Sequence, residues 1–393
     1  MTEEHTRQYK AEIRALTGSK LFINTGFRMV YPFLPAIARG LGVPIASLAA
    51  IVSLRGFTSL LSPLFGPLSD RFGRRLMMVL AMILFSLGCA IVLFWPTLWA
   101  FGVTLTIIAI SNVIYNPAMQ AYLGDSVAYD QRGRALAITE LSWAGAFLLG
   151  IPLVGIAMER QGWQAPYAWL AAFGLAAAFV LWRTIPSGDG KGRTASPFGS
   201  AWTIFRKNPV IWASGIYIFL VMGANELLLI VYGGVMEITY DLSLTTLGLA
   251  TAVIGGAELT GEIFTAVYVD RLGKRPFVII TGLMSCLMYL AIPYTSITLS
   301  AALISLFILF LFFEMSVVGG IPLMTEVVPS ARGVVMSIVL AMGGLGRGVG
   351  ALLGPQIMSR GSYELLGLVA SVAMALAVFI LVLWIREAER KPI

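Results

Sequence analysis

The sequence predicts an all-α membrane protein with twelve transmembrane helices in two pseudo-symmetric six-helix bundles. Three observations carry that expectation. Of 393 residues, 58% are hydrophobic and 12% charged, where soluble chains carry about a quarter charged residues. Apolar runs near the roughly 20 residues needed to cross a bilayer follow one another with short polar punctuation. A basic loop in the first half recurs 200 positions later, Asp70 to Arg75 against Asp270 to Arg275.

Apolar periods and breaker residues place the first six spans at Leu16 to Ala38, Ala46 to Pro67, Leu76 to Trp95, Trp99 to Tyr122, Ala135 to Met158 and Pro166 to Ile185. The second six follow at Val210 to Met236, Thr245 to Val269, Pro276 to Tyr294, Thr298 to Thr325, Val334 to Met358 and Tyr363 to Ile385. Before the first span, Glu3 to Arg14 reads as a polar tail without a cleavable signal pattern. Between the halves, Pro186 to Asn208 is rich in Gly, Ser and basic residues and reads as a flexible linker. The expected division is therefore 1–185, a linker at 186–208, and 209–393.

Lysine and arginine set the expected orientation. They gather at the termini and in the loops on one side, among them Lys10, Lys20, Arg71, Arg74, Arg132, Arg271 and Arg332, while the opposite loops hold Arg39, Arg160 and Arg360. That asymmetry places both termini in the cytoplasm and accounts for the net charge of +7 without a nucleic-acid partner. Cys89 and Cys286 lie in apolar runs and read as small core residues. No metal-ligand spacing, nucleotide loop or catalytic constellation is present in the sequence, so neither cofactor, metal nor enzymatic activity is expected, and ATP-driven pumping is disfavoured. The absence of an Asn-x-Ser/Thr sequon and the short loops lean towards a prokaryotic inner membrane.

The repeat is more than one matched loop. At the same offset Arg132-Gly133 aligns with Arg332-Gly333, so each half is one copy of a six-helix unit in parallel orientation. Gly66-Pro67-Leu68-Ser69-Asp70-Arg71-Phe72-Gly73-Arg74-Arg75 resembles the loop signature of the major facilitator superfamily, and Ala266 to Arg275 resembles a degenerate copy without the leading glycine. In physical terms Gly66 and Gly73 permit close approach and a tight turn, while Asp70 and Arg74 can pair across neighbouring helix ends. The resemblance implies a conformational latch made by Gly66, Asp70, Arg71, Gly73 and Arg74, with Asp125 as the acid at the end of the fourth helix, echoed by Asp270, Arg271, Gly273 and Arg275. Gly145, Gly150, Pro152 and Gly155 in the fifth span resemble the glycine and proline motif of the drug/proton antiporter branch with twelve helices. The fourth span departs from that branch, because it carries no arginine.

Charges inside the spans are the candidate site. A charge at mid-membrane costs about 2.5–3.5 kcal/mol on insertion scales, so each needs a partner, water or a function. At about 1.5 Å per residue, Arg28 lies roughly 18 Å up the first helix, and Arg55 and Arg347 roughly 22 Å above their loop anchors. The acids are Glu226, Glu258, Glu262 and Glu314, nearly all of the second half, with Glu140 nearer a helix end. Glu258 and Glu262 are four apart and share a face. Two carboxylates that close do not both ionise cheaply in low dielectric, and a carboxyl that changes charge near neutral pH suits proton coupling. Glu314 and Glu258 rank first for that role, then Glu226. The alternative is a set of static ion pairs with Arg28, Arg55 and Arg347.

Uncharged polar residues extend the pattern: Asn24, Arg28 and Tyr31 on the first helix, Arg55, Ser59 and Ser62 on the second, and Asn112, Asn116 and Gln120 on the fourth, at helical spacing suggestive of a wet face. Interhelical hydrogen bonding explains each residue equally well alone. Phe27, Trp143 and Phe313 could add aromatic walls. The expected substrate site is Arg28, Arg55, Asn24, Tyr31, Asn112, Asn116 and Arg347, serving a monomeric secondary transporter that exchanges protons for a small amphipathic or charged organic solute. Uptake by proton symport, lipid or lysolipid transport, and a non-transporting membrane sensor stay open as alternatives.

Overall fold

The computed structural model describes residues 3–61, 65, 68–69, 71–127, 129–186, 208–328 and 332–385. The segment 187–207, read as a linker, lies outside them, as do Gly66 and Asp70 of the loop signature and Ser62 of the second-span stripe. Every long element among the described residues is helical. Ten helices are long and apolar enough to cross a membrane, and Ile45–Leu61 is a shorter apolar helix. The chain is a multi-pass integral membrane protein.

The first pass is two helices. α1 (Glu3–Arg28) ends at a turn on Met29, and α2 (Val30–Leu41) continues to Gly42, whose φ of 67° closes it. Pro32 has no N–H to offer the carbonyl of Arg28, which is reason enough for the break. Contrary to the tail expected from sequence, α1 starts far upstream of Leu16: Gln8 donates to Glu12 four residues on, and Ile13, Ala15 and Leu16 are buried. The second pass, α3 (Ile45–Leu54), tightens into a 3-10 helix over Arg55–Leu61. There Thr58 and Ser59 hydroxyls donate to the carbonyls of Arg55 and Gly56, three residues back, competing with α-helical bonding. The α-helical spacing expected for Arg55 and Ser59 is therefore not kept.

Next come α4 (Arg74–Phe94) and α5 (Leu98–Ser126). The fifth pass is α6 (Tyr129–Gly145), a π turn over Ala146–Gly150, and α7 (Ile151–Gln161). Pro152 cannot donate to Leu148, so a lost helical bond sits at the edge of the π turn. α8 (Ala165–Thr184) completes the half. The second half is more regular: α9 (Pro209–Tyr240), α10 (Leu244–Leu272), α11 (Lys274–Thr295), α12 (Leu299–Val327), α13 (Arg332–Arg360) and α14 (Tyr363–Trp384).

Two compact units result, residues 1–195 with 241–255, and residues 196–240 with 256–393. α10 thus gives its first turns to the first unit. Glycines explain that attachment: a Cβ on Gly248 would lie 3.0 Å from the carbonyl oxygen of Ile151, one on Gly255 2.8 Å from that of Ala144, and one on Gly155 2.5 Å from that of Leu244. The Glu159 carboxylate also accepts the backbone N–H of Thr245 at 2.6 Å, closing the start of α10.

The repeat is visible within each unit. In the first, α4 packs on α5 and α8, and α1 on α6 and α8; in the second, α11 packs on α12 and α14, and α9 on α13 and α14. Details recur at or near the 200-residue offset. Gly73 and Gly273 precede α4 and α11 with φ of 90° and 83°, a conformation that costs glycine least. Thr97 and Thr298 cap α5 and α12. Arg75 donates to the carbonyl of Ile185, and Arg275 to that of Ile385.

Candidate functional site

In the first unit the break after Arg28 sets the geometry. The last carbonyls of α1 need donors, and the Arg55 guanidinium from the second pass supplies one to the Phe27 oxygen at 2.6 Å. Its carbon lies 4.2 Å from the Phe27 ring centroid and 4.6 Å from that of Tyr31. One turn away, Arg28 donates to the carbonyl of Trp143 at 2.9 Å and stacks on the rings of Trp143, at 4.1 Å, and Phe147, at 3.5 Å. Both arginines are buried. Carbonyl oxygens and ring faces thus share the work of keeping two guanidiniums inside an apolar bundle.

A line of amides runs beside them. Asn116 donates to Asn112 at 2.7 Å, Asn112 to Asn24 at 3.4 Å, Asn24 to Ser142 at 3.1 Å, and Ser142 to the carbonyl of Thr139 at 2.6 Å. α5, α1 and α6 are thereby joined through their polar stripes. Asn24, Arg28, Tyr31, Arg55, Asn112 and Asn116, all expected from sequence, fall into this one region, whereas Gln120 is exposed. Ser142 and Phe147 were not expected. Their signal was the spacing of Thr139, Ser142, Trp143 and Phe147 on α6 and the following turn.

Lys20, grouped by charge with the terminal cations, is instead buried within α1 and ion-paired to Glu140 at 2.6 Å. The cost of burying its ammonium is met by a carboxylate on a neighbouring helix.

The second unit buries acids. Glu226, Glu258 and Glu314 are 1%, 2% and 6% exposed, and Glu262 is half-buried. Gly261, between Glu258 and Glu262 on α10, lies against α12, where an added Cβ would sit 3.1 Å from the Cβ of Glu314. The stretch of α10 that carries Glu258 and Glu262 therefore passes Glu314 of α12 at Gly261. Glu226 sits on a different contact: α9 meets the glycines of α13, and a Cβ on Gly350 would approach the Cβ of Glu226 to 2.7 Å. Arg347 is three residues from Gly350, on the same stripe of α13, and half-buried. Phe313 packs edge-on to Phe310 within α12, with ring centroids 6.3 Å apart. Tyr289 donates to buried Asn225 at 3.2 Å, a polar contact unforeseen from sequence.

At the helix ends carrying the loop signature, Arg74 meets Asp125 at 3.4 Å and donates to Ser69 at 3.0 Å. Lys274 meets Glu326 at 2.6 Å in the second unit. Glu326 was missed, although the offset from Asp125 points to within one residue of it. Arg275 also donates to Val382 at 2.6 Å, fastening α11 to the end of α14. Arg71 and Arg271 lie over Phe72 and Tyr268, and Asp270 is exposed.

Known proteins agree with this architecture. The model of the Major Facilitator Superfamily matches residues 16–316 and 219–393. A protein named a probable sugar efflux transporter from Pasteurella multocida is 22% identical over 388 residues, covering 96% of this chain and 93% of its own. A homologue of the multi-drug resistance efflux pump PmrA from Lactococcus lactis is 31% identical over 147 residues, 36% of each chain. Among solved structures, the xylose transporter XylE from E. coli in an inward-open conformation superposes with a TM-score of 0.78 at 17% identity over 98% of both chains. The matched segments together span both repeats, and the chain belongs to the Major Facilitator Superfamily of membrane transporters.

Proposed function

We propose that this transporter exports a small organic solute in exchange for protons by alternating access, as a monomer in a prokaryotic inner membrane with both termini cytoplasmic. The observation that carries the reading is the burial of Glu226, Glu258 and Glu314 in the second unit, where Gly261, three residues from Glu258, packs against Glu314. Acids buried within membrane-spanning helices are rare and mark ion or proton pathways, which makes these three the candidate carriers of the coupled proton. In the first unit, Arg28, Arg55 and the amide line supply donors and acceptors for a polar solute, with Arg347 of the second unit as a further candidate. Relatives named for sugar and multidrug efflux favour outward movement.

The decisive experiment traps a pH-sensitive dye inside proteoliposomes and adds candidate solutes outside, drawn from sugars, organic acids and amines. Exchange makes the lumen alkaline as solute enters, whichever way the protein is inserted. A lumen that turns acidic establishes symport and overturns antiport.

A further inference from the structure

The amide line in the first unit has a direction, and its direction specifies the ligand. Amide oxygen and nitrogen are exchangeable in an isolated side chain, but here one end of the line is fixed. The carbonyl of Thr139 can accept and cannot donate, so the Ser142 hydroxyl must give it its proton. Ser142 then accepts from Asn24 Nδ2, which turns Asn24 Oδ1 towards Asn112 Nδ2, which in turn presents Asn112 Oδ1 to Asn116 Nδ2. Every amide is oriented by the one before it. What remains at the far end is Asn116 Oδ1, an acceptor that is buried and has no hydrogen-bond partner. A buried acceptor left unsatisfied forfeits the hydrogen bond it would make in water.

A second acceptor lies on the same turn. Pro117 follows Asn116 inside α5 and has no N–H, so the carbonyl of Val113, four residues before it, lacks its helical donor. Val113 and Asn116 are three apart and share one side of the helix. Further along α1, beyond Asn24, guanidiniums lie over Trp143, Phe147, Phe27 and Tyr31, which occupies one face of each ring with a cation that the protein itself supplies. The same guanidiniums repel an ammonium donor.

We infer that the Asn116 end of this line binds a hydroxyl group of the transported solute, so the substrate class is a hydroxyl-bearing, non-cationic molecule such as a sugar or polyol. The inference rests on the transporter reading and narrows its substrate. Hydroxyl is a donor as well as an acceptor, and a donor is what the end of the line lacks.

The test measures thermal shifts of the purified protein with a panel of methyl pyranosides, each paired with its fully O-methylated derivative, and with tetraphenylphosphonium. The expected result is binding of free pyranosides with about tenfold weaker affinity for the methylated partners, the worth of one hydrogen bond. Asn116→Leu removes the discrimination, and Asn116→Gln, which keeps both an amide donor for Asn112 and an acceptor, retains it. The idea is overturned if methylated compounds or tetraphenylphosphonium bind wild type and Asn116→Leu alike, if Asn116→Gln loses the discrimination, or if no pyranoside binds. The dye experiment separates the two readings. Donor discrimination without any pH response keeps this inference and defeats proton exchange, whereas a pH response to a donor-free solute, unchanged in Asn116→Leu, does the reverse.

Discussion

α1 against α6 and α9 against α13 are equivalent contacts in the two repeats, and they are built from opposite materials. The first is joined by side chains: Asn24 to Ser142, Arg28 to Trp143, Lys20 to Glu140. The second is lined by glycines, since Gly346 lies against the Phe219 backbone, Gly350 against Gly223 and Glu226, and Gly354 against Leu227 and Ile230. A shared scaffold thus tolerates two kinds of seam. Glycine seams let backbones approach closely and gain dispersion in lipid, where the hydrophobic effect gives no help. Polar seams hold helices through directed bonds whose partners can be exchanged for those of a ligand. On the proposed reading, recognition belongs to the first unit and proton coupling to the second.

Four tests would break or sharpen that contrast. The largest effect is expected from Glu258→Gln with Glu314→Gln, which should abolish pH-dependent solute movement in proteoliposomes while thermal shifts by pyranosides persist; loss of binding together with coupling would show that the units do not divide these tasks. Gly346→Ala should cost about 1–3 kcal/mol by overpacking, read as a lower melting temperature and a smaller monodisperse fraction, whereas Gly145→Ala, with Leu21 as its one near neighbour at 3.3 Å, should be milder. Asn24→Leu strands Ser142 and Asn112, and a loss of about 1–3 kcal/mol is expected, with pyranoside binding weakened as well. Thr97→Ala and Thr298→Ala remove matching caps and should each cost about 1 kcal/mol; a clear inequality between them would show that the repeats differ beyond their seams.

Much of the contrast was legible in the sequence. Apolar length gave the passes, and the recurrence of Asp-Arg-x-Gly at one offset gave the repeat. The placement of Arg28 and Arg55 in one half and four glutamates in the other needed no coordinates. The partners did not follow so readily. Periodicity says which face a residue occupies but not what faces it, so the spacing of Thr139, Ser142 and Phe147 could not say that Ser142 meets Asn24 or that Phe147 meets Arg28. Backbone irregularities were harder still. The turn at Met29, the 3-10 winding after Arg55 and the π turn before Pro152 each depend on competition between main-chain and side-chain bonds, which hydropathy does not record. Glu326 is a plainer miss, one residue from where the offset pointed.

Arg28 resting on Trp143 also makes the site optically addressable. Indole emission responds to a charge held over its ring, and the guanidinium here is 4.1 Å from the centroid. A solute that draws Arg28 aside changes that field at the moment of binding, so the difference in fluorescence between the wild type and Trp143→Phe, among nine tryptophans in all, reports occupancy without a label and on the timescale of the transport cycle.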